Sequence, residues 1–160
     1  MWNLMSISLT PSTSHKVVVS VRKEVWVTLR SVRTDDLGED ETVELATRGD
    51  FYRRKDCFYI IYNESEASGQ AGTTTSWKAE PSRVILNKVG TSEVRQVFEY
   101  GIHDRASYIT PYGMLPVAVL PWKVEVDLTE VGGSINLEYE LEMDRQKIGY
   151  QALSITVEEV

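Results

Sequence analysis

Alanine appears only seven times in 160 residues. It is the best helix former, so its scarcity argues against a helical protein. Cysteine appears once, at Cys57, which excludes an internal disulfide and fits a reducing, cytoplasmic compartment. Histidine appears twice, and His15 lies in the N-terminal lead-in, so no histidine pair is anchored in the fold to hold a metal. No apolar run approaches the ~20 residues of a membrane-spanning helix. Positive charge is in deficit: 17 Lys and Arg stand against 24 Asp and Glu, for a net charge of −7. An acidic surface repels phosphate backbones, which argues against nucleic-acid binding. Met1–Pro11 lacks a basic flank and an unbroken apolar stretch, so no signal peptide is expected there.

What the chain has in quantity is β-branched residues. Thr, Val and Ile together supply 41 positions. Their stiff side chains suit a pleated surface, and the sequence predicts an all-β protein. At this length one domain is expected, with roughly 70% of the unfolded surface buried. Residues 1–15 carry no sustained periodicity and read as a flexible extension; residues 16–160 read as the folded domain.

Alternation marks the strands. Lys16–Arg33 keeps Val17, Val19, Val21, Val25, Val27 and Leu29 on one face. A polar, acidic loop follows at 34–40; it lacks the register of a calcium loop and reads as a hairpin tip. Glu41–Arg48 points Val43 and Leu45 inward, Gly49-Asp50 reads as a turn, and Phe51–Arg54 as a short strand. Cys57–Glu64 is apolar on both faces and is expected to be covered on both. Thr73–Ala79 and Val84–Val89 follow a flexible bend at 68–72. Val94–Tyr100 fits helix and strand spacing alike. Pro116 and Pro121 point to an edge or a bulge. Val124, Val126 and Leu128 then alternate up to Gly132-Gly133, which reads as a two-residue hairpin turn of positive φ, and Ile135–Met143 returns. After a turn at 145–147, the phase slips at Ala152-Leu153, which suggests a bulge. Sequential hairpins favour an up-and-down antiparallel β-barrel of about 8–10 strands over a Greek-key sandwich.

Three stretches carry a resemblance. They are Glu64 with Gly69-Gln70-Ala71-Gly72-Thr73-Thr74-Thr75, then Tyr108–Gly113, then Gly132-Gly133 with Leu137–Leu141. In order and spacing they resemble the YwiB-like family of small uncharacterised bacterial proteins, from about Lys16 to Glu158. The resemblance implies a calycin-type, lipocalin-like barrel and tips Val94–Tyr100 towards strand. It implies no established activity.

Small barrels have one interior, either filled by side chains or able to hold one small ligand. By analogy with calycins the barrel mouth is the candidate ligand site. Tyr62, Glu64, Thr73, Thr75, His103, Tyr108 and Tyr112 are its candidate residues. The tyrosines join an apolar body to a polar tip. The threonines sit beside a glycine bend, and His103 stands next to Asp104. The alternative is that these residues are strand composition and satisfied core. Trp77 shares parity with Thr73 and Thr75 and would close the floor; Trp26 has the outward parity, a departure from the lipocalin pattern. No cofactor or metal motif is present, and no Ser or Cys nucleophile sits at a recognisable elbow. The leading reading is a binder of a small apolar or amphipathic molecule. A non-catalytic interaction module with a packed barrel is second, and an enzyme third.

Overall fold

The computed structural model describes residues 21–160. The expected 1–15 extension and the start of the strand predicted from Lys16 lie outside that range. Ten strands follow in order: β1 (Lys23–Thr34), β2 (Asp40–Arg54), β3 (Cys57–Asn63), β4 (Thr73–Ala79), β5 (Arg83–Gly90), β6 (Val94–Glu99), β7 (Asp104–Thr110), β8 (Gly113–Thr129), β9 (Gly132–Met143) and β10 (Gln146–Glu159). A single 3₁₀ turn, Glu66–Ser68, joins β3 to β4.

All pairings are antiparallel, in the order β6-β5-β4-β3-β2-β1-β10-β9-β8-β7. Every neighbour is sequential except β1 beside β10, so the chain is an up-and-down meander rolled into a nearly closed barrel, as the hairpin pattern predicts. The seam lies between β6 and β7. There Glu93 and Ile109 exchange reciprocal N–H···O bonds of 2.8 Å. Lower down, the Asp104 carboxylate replaces the ladder: its Oδ2 accepts from Val97 N at 2.9 Å and from Gln96 Nε2 at 3.0 Å.

Strand parity fills the interior. Val25, Val27, Phe51, Ile60, Val84, Ile135, Leu137, Ile155 and Val157 are all buried, with Trp77, Phe98 and Tyr139 among them. Each large apolar side chain removed from water contributes about 1.5–3 kcal/mol. The ambiguous Val94–Tyr100 segment is strand, with Val94, Gln96 and Phe98 inward.

Several expectations are corrected. Gly49-Asp50 is no turn, since β2 runs straight through it. A Cβ at Gly49 would lie 2.7 Å from the Ile61 carbonyl oxygen, so the glycine is there for close approach of β3. The hairpin between β8 and β9 turns at Glu130-Val131, and Gly132 and Gly133 open β9 with φ of +131° and +136°. Positive φ was the right reading of the glycines, but their Cβ positions would strike the Val157 and Asp127 carbonyl oxygens, so they serve cross-strand approach. The turn into β10 is Asp144-Arg145, both at positive φ.

The slip in β10 falls between Lys147 and Gly149, not at Ala152-Leu153. Ile148 is the extra residue, and it alone moves the apolar phase from even to odd positions. Pro121 does mark a bulge, since Trp122 is skipped between β8 and β9; β8 is paired on both sides only at Val117–Val119, so Pro116 pairs with β7 alone and Pro121 with β9 alone, as the expected edge or bulge positions. The outer face of β3 is half-buried rather than covered, and Cys57 is half-buried with it. Tyr59 shields that face by stacking on Tyr52 at 4.8 Å. Val43 has inward parity yet stays 49% exposed, because β3 leaves β2 at Asp50 and the outer half of the β1–β2 hairpin runs on without it. At its tip Asp35 Oδ1 accepts the N–H groups of Leu37 and Glu39, both at 2.9 Å, so the acidic loop is a self-capped turn.

Candidate functional site

The inner wall changes character near one end of the barrel. On β3 the inward series Phe58, Ile60 gives way to Tyr62 and then to Glu64 just past the strand. On β4 Ala79 and Trp77 give way to Thr75 and Thr73. On β5 Val84 and Leu86 give way to Lys88. Register aligns these changes: Tyr62 pairs with Thr75, and Thr75 pairs with Lys88.

The resulting cluster is tightly bonded. Thr75 Oγ1 donates to Glu64 Oε2 at 2.5 Å. Lys88 Nζ donates to the same carboxylate oxygen at 2.9 Å and to Thr75 Oγ1 at 3.1 Å. The Glu64 and Lys88 side chains are only 7% and 10% exposed, so this is a buried ion pair. Burial by itself would raise the Glu64 carboxyl; the Thr75 hydroxyl, the Lys88 ammonium and the Ser68 hydroxyl outweigh it and hold the group below the usual carboxylate range. One pair deeper, Trp77 Nε1 donates to Tyr62 Oη at 3.1 Å. Burial pushes the Tyr62 hydroxyl well above the usual phenol value.

Tyr108, whose hydroxyl feels the Glu64 charge, links the cluster to the mouth, although Tyr62, Glu64, Thr75 and Lys88 do not themselves line it. The mouth is a cavity of about 610 Å³ whose walls include Gln70, Ser92, Tyr108, Tyr112, Leu115 and Met143. Tyr108 Oη donates to Gln70 Oε1 at 3.3 Å, tying β7 to the loop after the 3₁₀ turn. Burial, with the Glu64 charge adding to it, raises Tyr108 to about 12. Thr73 Oγ1 accepts from Ser92 N at 3.0 Å and fixes the wall beneath.

Five of the predicted residues therefore meet: Tyr62, Glu64, Thr73, Thr75 and Tyr108. Tyr112 lines the same cavity from its rim, 98% exposed. His103 does not join them. It is exposed in the β6–β7 turn, at the other end of β7 from Thr110 and the mouth, and the Asp104 beside it is engaged by Val97 and Gln96 instead. The sequence missed Lys88 and Gln70. Lys88 had a signal, a lysine at the inward parity of Val84 and Leu86. Trp77 lies buried beneath Thr75 as expected, and Trp26 faces out under the Arg48 guanidinium at 4.7 Å. The mouth is not the sole concavity: a second, of about 670 Å³, opens near Arg53, Phe58 and Val131. Among the described residues no acidic, histidine or cysteine cluster suits a metal, and no helix is long and apolar enough to cross a membrane.

Fold and site together define a ten-stranded β-barrel with an apolar lower lumen, a hydrogen-bonded polar cluster on its inner wall and an aromatic-lined mouth joined to that cluster through Tyr108. The chain belongs to the family described as domain of unknown function DUF1934, whose profile matches residues 27–155. It is 26% identical over 140 residues to the uncharacterized beta-barrel protein YwiB of Bacillus subtilis (strain 168), covering 86% of this chain and 96% of that one. The crystal structure of the ywiB protein from Bacillus subtilis superposes with a TM-score of 0.78 at 23% identity, covering 89% of this chain and 95% of that chain, which establishes a shared fold.

Proposed function

We propose that this protein binds a small amphipathic molecule in the mouth of a calycin-type barrel, as a binding protein of the cytoplasm. The cavity of about 610 Å³ lined by Gln70, Ser92, Tyr108, Tyr112, Leu115 and Met143 carries the reading. Its size suits a small ligand, and its walls combine apolar surface with a few polar tips. Leu115, Met143 and the Tyr112 ring supply the apolar part; Gln70, Ser92 and Tyr108 supply the polar part. The ring of sequential hairpins supports the calycin grouping. The lone, unpaired Cys57 supports a reducing location. Ligand sits at the mouth, not deep in the lumen, because the large buried side chains occupy the lower interior.

The test is titration with an environment-sensitive naphthalene dye, in ketone and sulfonate forms. Binding near micromolar, about −8 kcal/mol, is expected for at least one form. Met143→Trp narrows the cavity from its wall and should abolish binding while the protein still melts cooperatively. Absence of binding, or binding untouched by Met143→Trp, overturns the assignment.

One observation favours the second reading, an interaction module. The outer edge of β2 from Asp40 to Gly49 has no strand partner among the described residues. Such an edge can accept an added strand.

A further inference from the structure

The outer half of β2 is an open strand edge. From Asp40 to Gly49 it pairs with β1 in unbroken register. β3 joins it only from Asp50 onward, so among the described residues its other side has no partner. Natural sheets blunt such edges with proline, a bulge, brevity or charge. Here there is no proline and no register shift, and the free stretch is long. Charge is the one device present.

That charge is mostly of one sign. The stretch carries Asp40, Glu41 and Glu44 against Arg48 alone. Arg48 is spent on Glu24 at 3.0 Å and on the Trp26 ring, and Glu41 is neutralised by Arg33 at 3.0 Å. Asp40 accepts from the Thr34 hydroxyl at 2.7 Å but meets no cation among the described residues. Glu44 stands opposite Arg30 and forms no ion pair among them either. Both carboxylates are exposed and share the outward parity of Arg48. On the inward side Val43 is 49% exposed and Leu45 half-buried, so the apolar row that Leu45 forms with Leu29 is left partly open. The edge therefore offers, in register, unpaired main-chain groups, uncompensated outward carboxylates and an inward apolar row. A second copy presents the same carboxylates. In the two-fold pairing that sets Val43 against Leu45, Glu44 faces Glu44, and like charges directly opposite are destabilising. The net charge of −7 also holds copies apart. The complement is a strand of the opposite sign.

We propose that the outer edge of β2 receives an extended basic segment of another protein, added to the sheet with its lysines or arginines beside Asp40 and Glu44 and its intervening apolar residues against Val43 and Leu45. This rests on the interaction-module reading and is independent of the mouth. The test titrates the full chain with dye-labelled, end-capped Lys-Val-Lys-Val-Lys-Val-Lys, whose alternation reads the same in either strand direction. Its controls are Glu-Val-Glu-Val-Glu-Val-Glu and the block peptide Lys-Lys-Val-Val-Val-Lys-Lys. The alternating basic peptide should bind about tenfold tighter or more than either control. On the unaltered protein it should slow hydrogen exchange at alternate β2 amides between Glu41 and Arg48, while the β8–β9 amides keep their rates. Glu44→Lys, at an exposed position, should melt like the wild type, weaken the basic peptide and strengthen the acidic one. Equal binding of the block and alternating lysine peptides reduces the effect to bulk charge and overturns the assignment. Equal protection of the β2 amides by both alternating peptides overturns the basic partner and keeps the edge as a docking site. No protection with any peptide removes the edge reading as well. A dimer in analytical ultracentrifugation, or the same amides protected before peptide is added, puts a second copy or residues 1–20 on the edge and overturns the proposal.

Discussion

Lys88→Met should be among the most damaging single substitutions outside the apolar core. Methionine nearly matches the lysine stem in volume, so packing changes little and charge changes fully. The variant leaves the Glu64 carboxylate 7% exposed with its ammonium partner gone. Thr75 still donates to it at 2.5 Å, so one strong hydrogen bond remains. Removing one member of a buried pair costs about 3–5 kcal/mol. For a chain of this size that converts to a fall in Tm of roughly 6–20 °C. The double variant Glu64→Gln/Lys88→Met removes both charges and should recover most of the loss. Urea denaturation of the wild type, both singles and the double gives the coupling directly. The same pair sets an acid response. The Glu64 carboxyl is depressed in the fold, so its contribution is complete above the ordinary carboxylate value. It drains away as pH falls through the lower folded value. A Lys88→Met loss under 1 kcal/mol, or a double variant no more stable than the single, would refute the buried-pair argument.

Leu137→Asp should prevent cooperative folding, because Leu137 is 0% exposed and paired on both sides, by Val124 and Leu153; a sharp near-UV CD transition at the wild-type midpoint would contradict that. Gly49→Ala should cost about 1–3 kcal/mol in urea, since the new methyl lies 2.7 Å from the Ile61 oxygen and β2 or β3 must shift; an unchanged midpoint would sink the close-approach account. Asp104→Ala should open the seam, measured as faster hydrogen exchange at the Val97 amide with the β1–β10 amides unaffected. Stability should decline as pH climbs from about 10 towards about 12, because the folded protein holds the Tyr108 hydroxyl protonated to about 12 while the unfolded chain releases it near 10.

Parity made most of the barrel legible. Val25 and Val27, Thr73, Thr75 and Trp77, and Ile135, Leu137, Tyr139 and Leu141 all face the side their alternation assigns. Glycine was the weak point. Gly49, Gly132 and Gly133 looked like turns, but their missing Cβ atoms serve strands that pass too close for a side chain. That is a property of two strands at once, so it cannot be read along one. The β10 slip was seen but misplaced, since a phase change between Ile148 and Leu153 does not say which residue is extra. In the candidate site, Tyr62, Glu64, Thr73 and Thr75 come together because they are neighbours across one hairpin, whereas His103 lies apart from them. Its place depends on the direction of β7, and β7 carries Tyr108 and Thr110 to the mouth while leaving its own start at the far end.

The position of the polar floor follows from where the wall of the barrel parts. At Asp50 and Phe51, β2 is paired on both sides, and the inward residues there and opposite are Phe51, Ile60 and Trp77. At Gly49 the pairing with β3 ends, and a cavity of about 230 Å³ opens between Arg48, Gly49, Ile61 and Tyr62. The next inward residues on β3 and beyond are Tyr62 and Glu64, followed across the sheet by Thr75 and Lys88. A fully ringed wall excludes water and tolerates only apolar lining. Once one strand pair separates, the lining needs polar groups that hydrogen-bond one another as solvent approaches. The ion pair then sits at the boundary between the two regimes. There it is dry enough for its geometry to be held. The apolar layer therefore ends in a lysine and a glutamate whose side chains are only 7–10% exposed and are bonded to each other, rather than in residues open to water.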